Sequence, residues 1–306
     1  PKKVLVTGAL GNLAGKICRN LSDQGHQVVL LDCKPHQMSH VADLRETGWE
    51  NHLKGVDTVF HFAAQNPFPH ATWKDSIASF DMTANVFYAA VAAKVRRVVF
   101  ASSNHVMGGH KEEGINCNDA KMITPDTDPF PGTKADVPSK IDSTPYACAK
   151  LYGERLARSL GKLTGGRTSF VCLRIGWCRD GANLPSTLSY AGGAEEITDA
   201  QEKYITKMRG TSTTNDPHKL SDWYQLMWLS NRDLLQVCNC AMKAESKQGF
   251  TIVNAMSKNS GSRWDVSFGL DSIGYSPQDD VTEHARPDGD LNLSVRKPQL
   301  FVGSKL

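Results

Sequence analysis

An α/β fold, a doubly wound parallel sheet followed by a smaller C-terminal lobe, is predicted by three observations. Short apolar runs alternate with helical patterns through the first half of the chain. The first of these runs enters a glycine-rich turn, Gly8-Ala-Leu-Gly11-Asn-Leu-Ala14-Gly15, that opens a helix. After Arg174 the alternation gives way to a polar stretch, Asp180 to Leu220, with few periodic apolar positions.

Lys3–Thr7, Gln27–Asp32, Thr58–Phe62, Val98–Ser102 and Phe170–Arg174 are rich in Val, Leu and Phe and read as buried strands. Helical spacing predicts helices over Leu13–Gln24, Trp73–Ala93 and Tyr146–Leu160. Met107 to Pro145 holds Pro125, Pro129, Pro131, Pro138 and Pro145, and is expected to be a surface loop near the site. Further on, Asp222–Ala244 looks helical and Phe250–Asn254 looks like another strand, either part of the C-terminal lobe or returned to the sheet. The expected division is a dinucleotide-binding domain over 1–176 and a substrate lobe over 177–306.

Bulk properties exclude several roles. The 306 residues carry 35 basic and 32 acidic side chains, net +3, which gives no support for nucleic-acid or membrane-surface binding. No apolar run approaches the roughly 18–20 residues that span a bilayer. PKKVLVTG enters a strand at once, so no signal peptide is expected. The eight cysteines are scattered without a CxxC pair, which fits reduced thiols in the cytoplasm. No His, Cys and carboxylate spacing fits a metal site, and Cys238-Asn-Cys240 reads as helix packing.

The glycine turn is the first candidate site. Glycine permits a tight turn and lets backbone approach phosphate oxygens, while the helix that follows aims its first amides at the anion. Gly8, Gly11, Asn12 and Leu13 are therefore candidates to hold a dinucleotide pyrophosphate, in a sheet of Rossmann type. Asp32 ends the second strand, where a carboxylate grips ribose hydroxyls and repels a 2′-phosphate, so NAD is expected rather than NADP. Asp43 and Leu44 are candidates for the adenine end, with a solvated turn as the alternative for Asp43. Ala63 and Ala64, at the end of the third predicted strand, are small enough for a cofactor to lie against backbone.

The second candidate site is catalytic. Thr144-Pro145 reads as an N-cap followed by proline at the first helical position. Tyr146 and Lys150 then stand four apart on one helix face. A free phenol, with a pKa of about 10, is a poor base at neutral pH, and a neighbouring ammonium is expected to lower it. The same lysine can reach a nicotinamide ribose. Ser103, at a strand end, can hold a substrate oxygen beside Tyr146. Together with the glycine turn, the set points to hydride transfer. Asn104 and His105 offer further hydrogen bonds to a polyol, or cap a loop; Gln65 and Asn66 do the same, or form a plain polar loop.

These residues resemble the extended short-chain dehydrogenase/reductase family of sugar epimerases, dehydratases and dehydrogenases. The resemblance covers the glycine loop, Asp32, Ala63-Ala64, the Ser103 strand and Tyr146-Lys150. Ala14 stands at the third glycine position, and Ser79 stands where many members have asparagine. A narrower likeness is to the uronate dehydrogenase subgroup, carried by Val99-Phe-Ala-Ser-Ser-Asn-His-Val-Met-Gly108, Leu173-Arg-Ile-Gly176 with Cys178, Trp228-Leu-Ser before Asp233, and Asn254-Ala to Trp264-Asp265. It implies oxidation of the anomeric carbon of a hexopyranose with an anionic C6 group to a lactone using NAD, with Ile175 on the cofactor and Ser103, Asn104, His105 and Tyr146 facing the sugar. It also implies a homo-oligomer. Trp223 falls near the arginine that this subgroup uses for the substrate carboxylate. Lys203, Lys207, Arg209, His218 and Lys219, in the longer 180–220 segment, could supply another clamp for a carboxylate, 6-phosphate or 6-sulfonate, or could be merely solvated. Two other readings stay open: a nucleotide-sugar epimerase or dehydratase that retains its NAD, and a nucleotide-sensing regulator, which would have no need of Tyr146 and Lys150.

Overall fold

A computed structural model of the chain describes residues 1–65, 72–114, 122–132, 143–185, 226–245 and 249–284. Seven strands form one parallel sheet: β1 (Lys3–Thr7), β2 (Gln27–Asp32), β3 (His40–Val41), β4 (Thr58–His61), β5 (Arg97–Ser103), β6 (Ser169–Ile175) and β7 (Phe250–Ala255). Their order across the sheet is β3-β2-β1-β4-β5-β6-β7. The order reverses beside β1, so a crevice opens outside the carboxyl ends of β1 and β4, the place where such sheets bind ligands.

Alternation along each strand builds two cores. Val4, Val6, Val99, Leu173 and Val253 face the side covered by α1 (Asn12–Asp23) and α4 (Asn231–Lys243). Leu5, Val59, Val98, Phe100 and Phe170 face the other side, under α2 (Trp73–Ala92) and α3 (Thr144–Leu163). Each buried Val, Leu or Phe contributes about 1.5–3 kcal/mol. Two short helices, α5 (Ser267–Ile273) and α6 (Val281–His284), follow β7.

Three expectations shift. The helix expected over Asp222–Ala244 begins at Asn231, because the Ser230 hydroxyl accepts from the Asp233 amide at 3.0 Å and caps it there. Just before it, Trp228 bridges to Trp177 instead of coiling. The N-cap of α3 is Ser143, with Thr144 and Pro145 already inside the helix. The expected surface loop is only partly a loop: Asn104–Gly114 is a 3-10 helix whose Val106 and Met107 are fully buried, because they pack with Met227, Met256 and Trp264. The strand expected over Phe250–Asn254 lies in the sheet, paired with β6 from Phe170↔Phe250 to Ile175↔Ala255.

Candidate active site

The carboxyl edge of the sheet gathers the residues singled out above. Gly8 takes φ +65°, and a Cβ there would lie 2.8 Å from both the Cα and the N of Ala63. The turn after β1 thus presses on the exit of β4 with no room for a side chain. Gly11 is the N-cap of α1 and supplies no side-chain bond, so the first amides of the helix are left for an anion. The Asn12 side chain reaches Cys178 O at 3.3 Å, so what Asn12 and Leu13 offer a phosphate is backbone N–H.

Asp32 is buried beside this turn. Its carboxylate accepts from the Leu10 amide at 3.0 Å and from the Lys34 amide at 2.9 Å. A carboxylate has about four acceptor positions, so it keeps capacity for ribose hydroxyls. Asp43 is half-buried, and the exposed Arg45 grips it in a fork that holds its carboxyl down at about 2. Leu44 is buried in the core under α2, and its carbonyl accepts from Asn85.

The exit of β4 is pinned from below. Thr7 Oγ1 lies 2.8 Å from His61 Nδ1 and accepts from the Ala63 amide, and His61 Nε2 lies 3.3 Å from Thr83 Oγ1. Burial, with the Lys150 charge behind it, pushes the imidazole down to about 3, so it stays neutral. Ser79 accepts from the Gln65 amide at 3.0 Å. Ser79 therefore holds the backbone that follows Ala64. Asn66 lies outside the described residues, as do Lys203, Lys207, Arg209, His218, Lys219 and Trp223.

Ser103, Asn104, His105, Tyr146 and Lys150 come together where β5 meets α3. Ser103 is the polar neighbour that lowers the Tyr146 phenol, and its hydroxyl accepts from the His105 amide at 3.2 Å. The His105 ring stands edge-on to the Tyr146 ring, centroids 5.6 Å apart. Asn104 Nδ2 donates to Ile175 O at 3.0 Å, which ties the end of β5 to the end of β6. Lys150 Nζ donates to Ala101 O at 2.7 Å and lies 5.6 Å from the centre of the Tyr146 ring. The phenol is not lowered by the ammonium as expected from sequence. Burial raises it, outweighing the Ser103 hydrogen bond, and burial pushes Lys150 down to about 8.

Sequence reasoning passed over a set directly behind these residues. Glu154 forms a bidentate pair with Arg174 at 2.9 Å on each arm, and Ser102 Oγ donates to Glu154 at 2.6 Å; all three are buried. The signal was present: Glu154 continues the Tyr146, Lys150 spacing by one more turn, as a second buried charge among Ala149, Gly153 and Ala157. Among the described residues no cluster of His, Cys, Asp and Glu could hold a metal ion, and no helix is long and apolar enough to cross a membrane.

The residues at this edge fit a dinucleotide: a Cβ-free turn, uncapped helix amides and an acceptor at the end of β2. The chain is similar to an L-arabinose 1-dehydrogenase (NAD(P)(+)) of Haloferax volcanii, 30% identical over 90% of this chain and 96% of the relative. It is also similar to an NAD-dependent glucose-6-phosphate dehydrogenase of the same organism, 27% identical over 92% of this chain and 94% of the relative. Among solved structures, a glucuronic acid dehydrogenase from Chromohalobacter salexigens superposes with a TM-score of 0.63 at 22% identity, covering 95% of this chain and 91% of the other. Residues 4–176 match the NAD dependent epimerase/dehydratase family, and the chain belongs to that family.

Proposed function

We propose that this chain is an NAD-dependent sugar dehydrogenase that oxidises the anomeric carbon of an aldose, one with an anionic group at C6, to the lactone. The observation that carries the reading is the Ser103–Tyr146–Lys150 arrangement at the crevice edge. A related 1-dehydrogenase supports the position of attack, and a related glucose-6-phosphate dehydrogenase supports an anionic C6. NAD, when bound, supplies the hydride acceptor. Gly8, Gly11, Asn12 and Leu13 would hold its pyrophosphate, Asp32 its adenosine ribose, Asp43 and Leu44 its adenine end, and Ala63, Ala64 and Ile175 its flanks.

The side chains of this protein do the rest. Ser103 holds the C1 hydroxyl, and Tyr146 is the general base that takes its proton; burial raises the phenol in the unliganded site, so its ionised form would be favoured by the Lys150 ammonium and by the positive nicotinamide ring when NAD is bound. An ammonium has three donors; Lys150 spends one on Ala101 O, and its others serve the nicotinamide ribose and the phenolate. With its Nδ2 on Ile175, Asn104 offers its amide oxygen to a sugar hydroxyl, and His105, Gln65 and Asn66 add further polar contacts. The lobe expected over 177–306 would supply the sugar side of the site. A homo-oligomer is part of the same proposal; Trp73, Ile77 and Tyr88 of α2 are exposed apolar side chains available to such a contact.

The test is a panel of free pentoses and hexoses and of 6-carboxylated, 6-phosphorylated and 6-sulfonated hexoses, followed by reduction of NAD and of NADP with lactone detected as product. Net NAD reduction with one anionic hexose supports the proposal. Tightly retained NAD with no net reduction would assign the chain to epimerase or dehydratase chemistry instead.

A further inference from the structure

Three consecutive residues of β5 each meet one of three residues spaced four apart on α3. Ser103 is the polar neighbour of the Tyr146 phenol, Ala101 O accepts from Lys150 at 2.7 Å, and Ser102 Oγ donates to Glu154 at 2.6 Å. Only the Glu154 contact is locked a second time, by the two-armed pair to Arg174 of β6. Arg174 directly precedes Ile175, whose carbonyl holds Asn104. The helix also lies hard against the strand at this level: a Cβ on Gly153 would overlap the Phe100 ring. Neither Glu154 nor Arg174 reaches the crevice, since each is about 1% exposed.

We propose that Ser102, Glu154 and Arg174 are positioning residues that set the register of α3 on β5 and β6, and thereby the placing of the Tyr146 phenol and the Lys150 ammonium against Ser103. This rests on the reading of Tyr146 as general base. A buried ion pair is a weak source of net stability, so its use here is geometric: a fork accepts a carboxylate in one orientation only. A displacement of about 1 Å at reacting groups costs on the order of 100-fold in rate.

The experiment compares Ser102→Ala, Glu154→Gln, the double variant Glu154→Gln/Arg174→Met, and Tyr146→Phe with the wild-type protein. Folding is checked by thermal midpoint, and kcat, KM for NAD and the pH dependence of kcat/KM for the sugar are measured. Ser102→Ala keeps the Glu154–Arg174 pair intact. The double variant removes both charges, so it decides the matter should Glu154→Gln fail to fold with Arg174 left uncompensated. The expected result in folded Ser102→Ala and in the folded double variant is a kcat at least tenfold lower, a KM for NAD raised by less than kcat falls, and a base limb displaced to higher pH. A kcat within twofold of wild type and an unmoved pH profile in either would overturn the proposal. Tyr146→Phe separates the two claims: if it loses turnover while the other variants keep theirs, only the positioning role falls; if it keeps turnover, the general-base reading falls first.

Discussion

The carboxylate of Asp32 accepts a hydrogen bond from the Leu10 amide at 3.0 Å, so the acid that ends β2 is fixed to the glycine turn that follows β1. The turn and the ribose-binding group are thereby one unit. Asp32→Ala removes the negative charge and both amide contacts. Hydrogen bonds to a charged group are worth about 1.5–3 kcal/mol, which corresponds to on the order of 10–100-fold in affinity. The expected outcome is a KM for NAD raised by that factor and a ratio of kcat/KM for NADP over NAD raised at least as much, read from initial rates with both cofactors.

Gly8→Ala tests the close approach at the same turn. The new methyl would meet the Ala63 backbone at 2.8 Å while φ stays at +65°. Ala in a positive-φ position costs about 1–2 kcal/mol before any clash. The variant is expected to melt several degrees lower and to bind NAD at least tenfold more weakly, measured by thermal denaturation and isothermal titration.

Lys150 gives a signed pH dependence. Burial lowers its folded-state pKa to about 8 from the ordinary 10.5. Below pH 8 both folded and unfolded chains hold the proton, and the full penalty of the buried charge is present. Between about pH 8 and 10.5 the folded chain releases it while the unfolded chain keeps it, so this group makes stability rise with pH. The gain is on the order of 3 kcal/mol at most. Lys150→Met lacks this slope. Urea midpoints at pH 7 and pH 10.5 should therefore show the difference between variant and wild type moving in favour of the wild type as pH rises; a constant difference would contradict the burial of a charged Lys150.

The fold was legible because its signals are local. Val4, Leu5 and Val6 face two cores, so the strand reads as a continuous apolar run, and Gly8 marks the only kind of residue that can meet Ala63 so closely. Element limits moved where a single hydrogen bond decides them, as at Ser230, which the pattern of apolar residues does not register. The candidate site was legible as a set of residue types, but not its electrostatics. Spacing places Lys150 beside Tyr146; it does not show that Nζ turns to Ala101 O, or that burial outweighs the Ser103 hydrogen bond for the phenol. The Ser102–Glu154–Arg174 set joins a helix to two strands at separations of 20 and 52 residues, and nothing local connects them.

The central claim is that the Tyr146 oxygen takes the proton from a sugar C1 hydroxyl while NAD is reduced. General acid–base groups contribute on the order of 100–10,000-fold. Steady-state turnover of wild-type protein and Tyr146→Phe should be compared on the best substrate of the sugar panel, with NAD affinity measured alongside. The account predicts a kcat at least 100-fold lower with NAD still bound; a Tyr146→Phe protein that reduces NAD at the wild-type rate would contradict it.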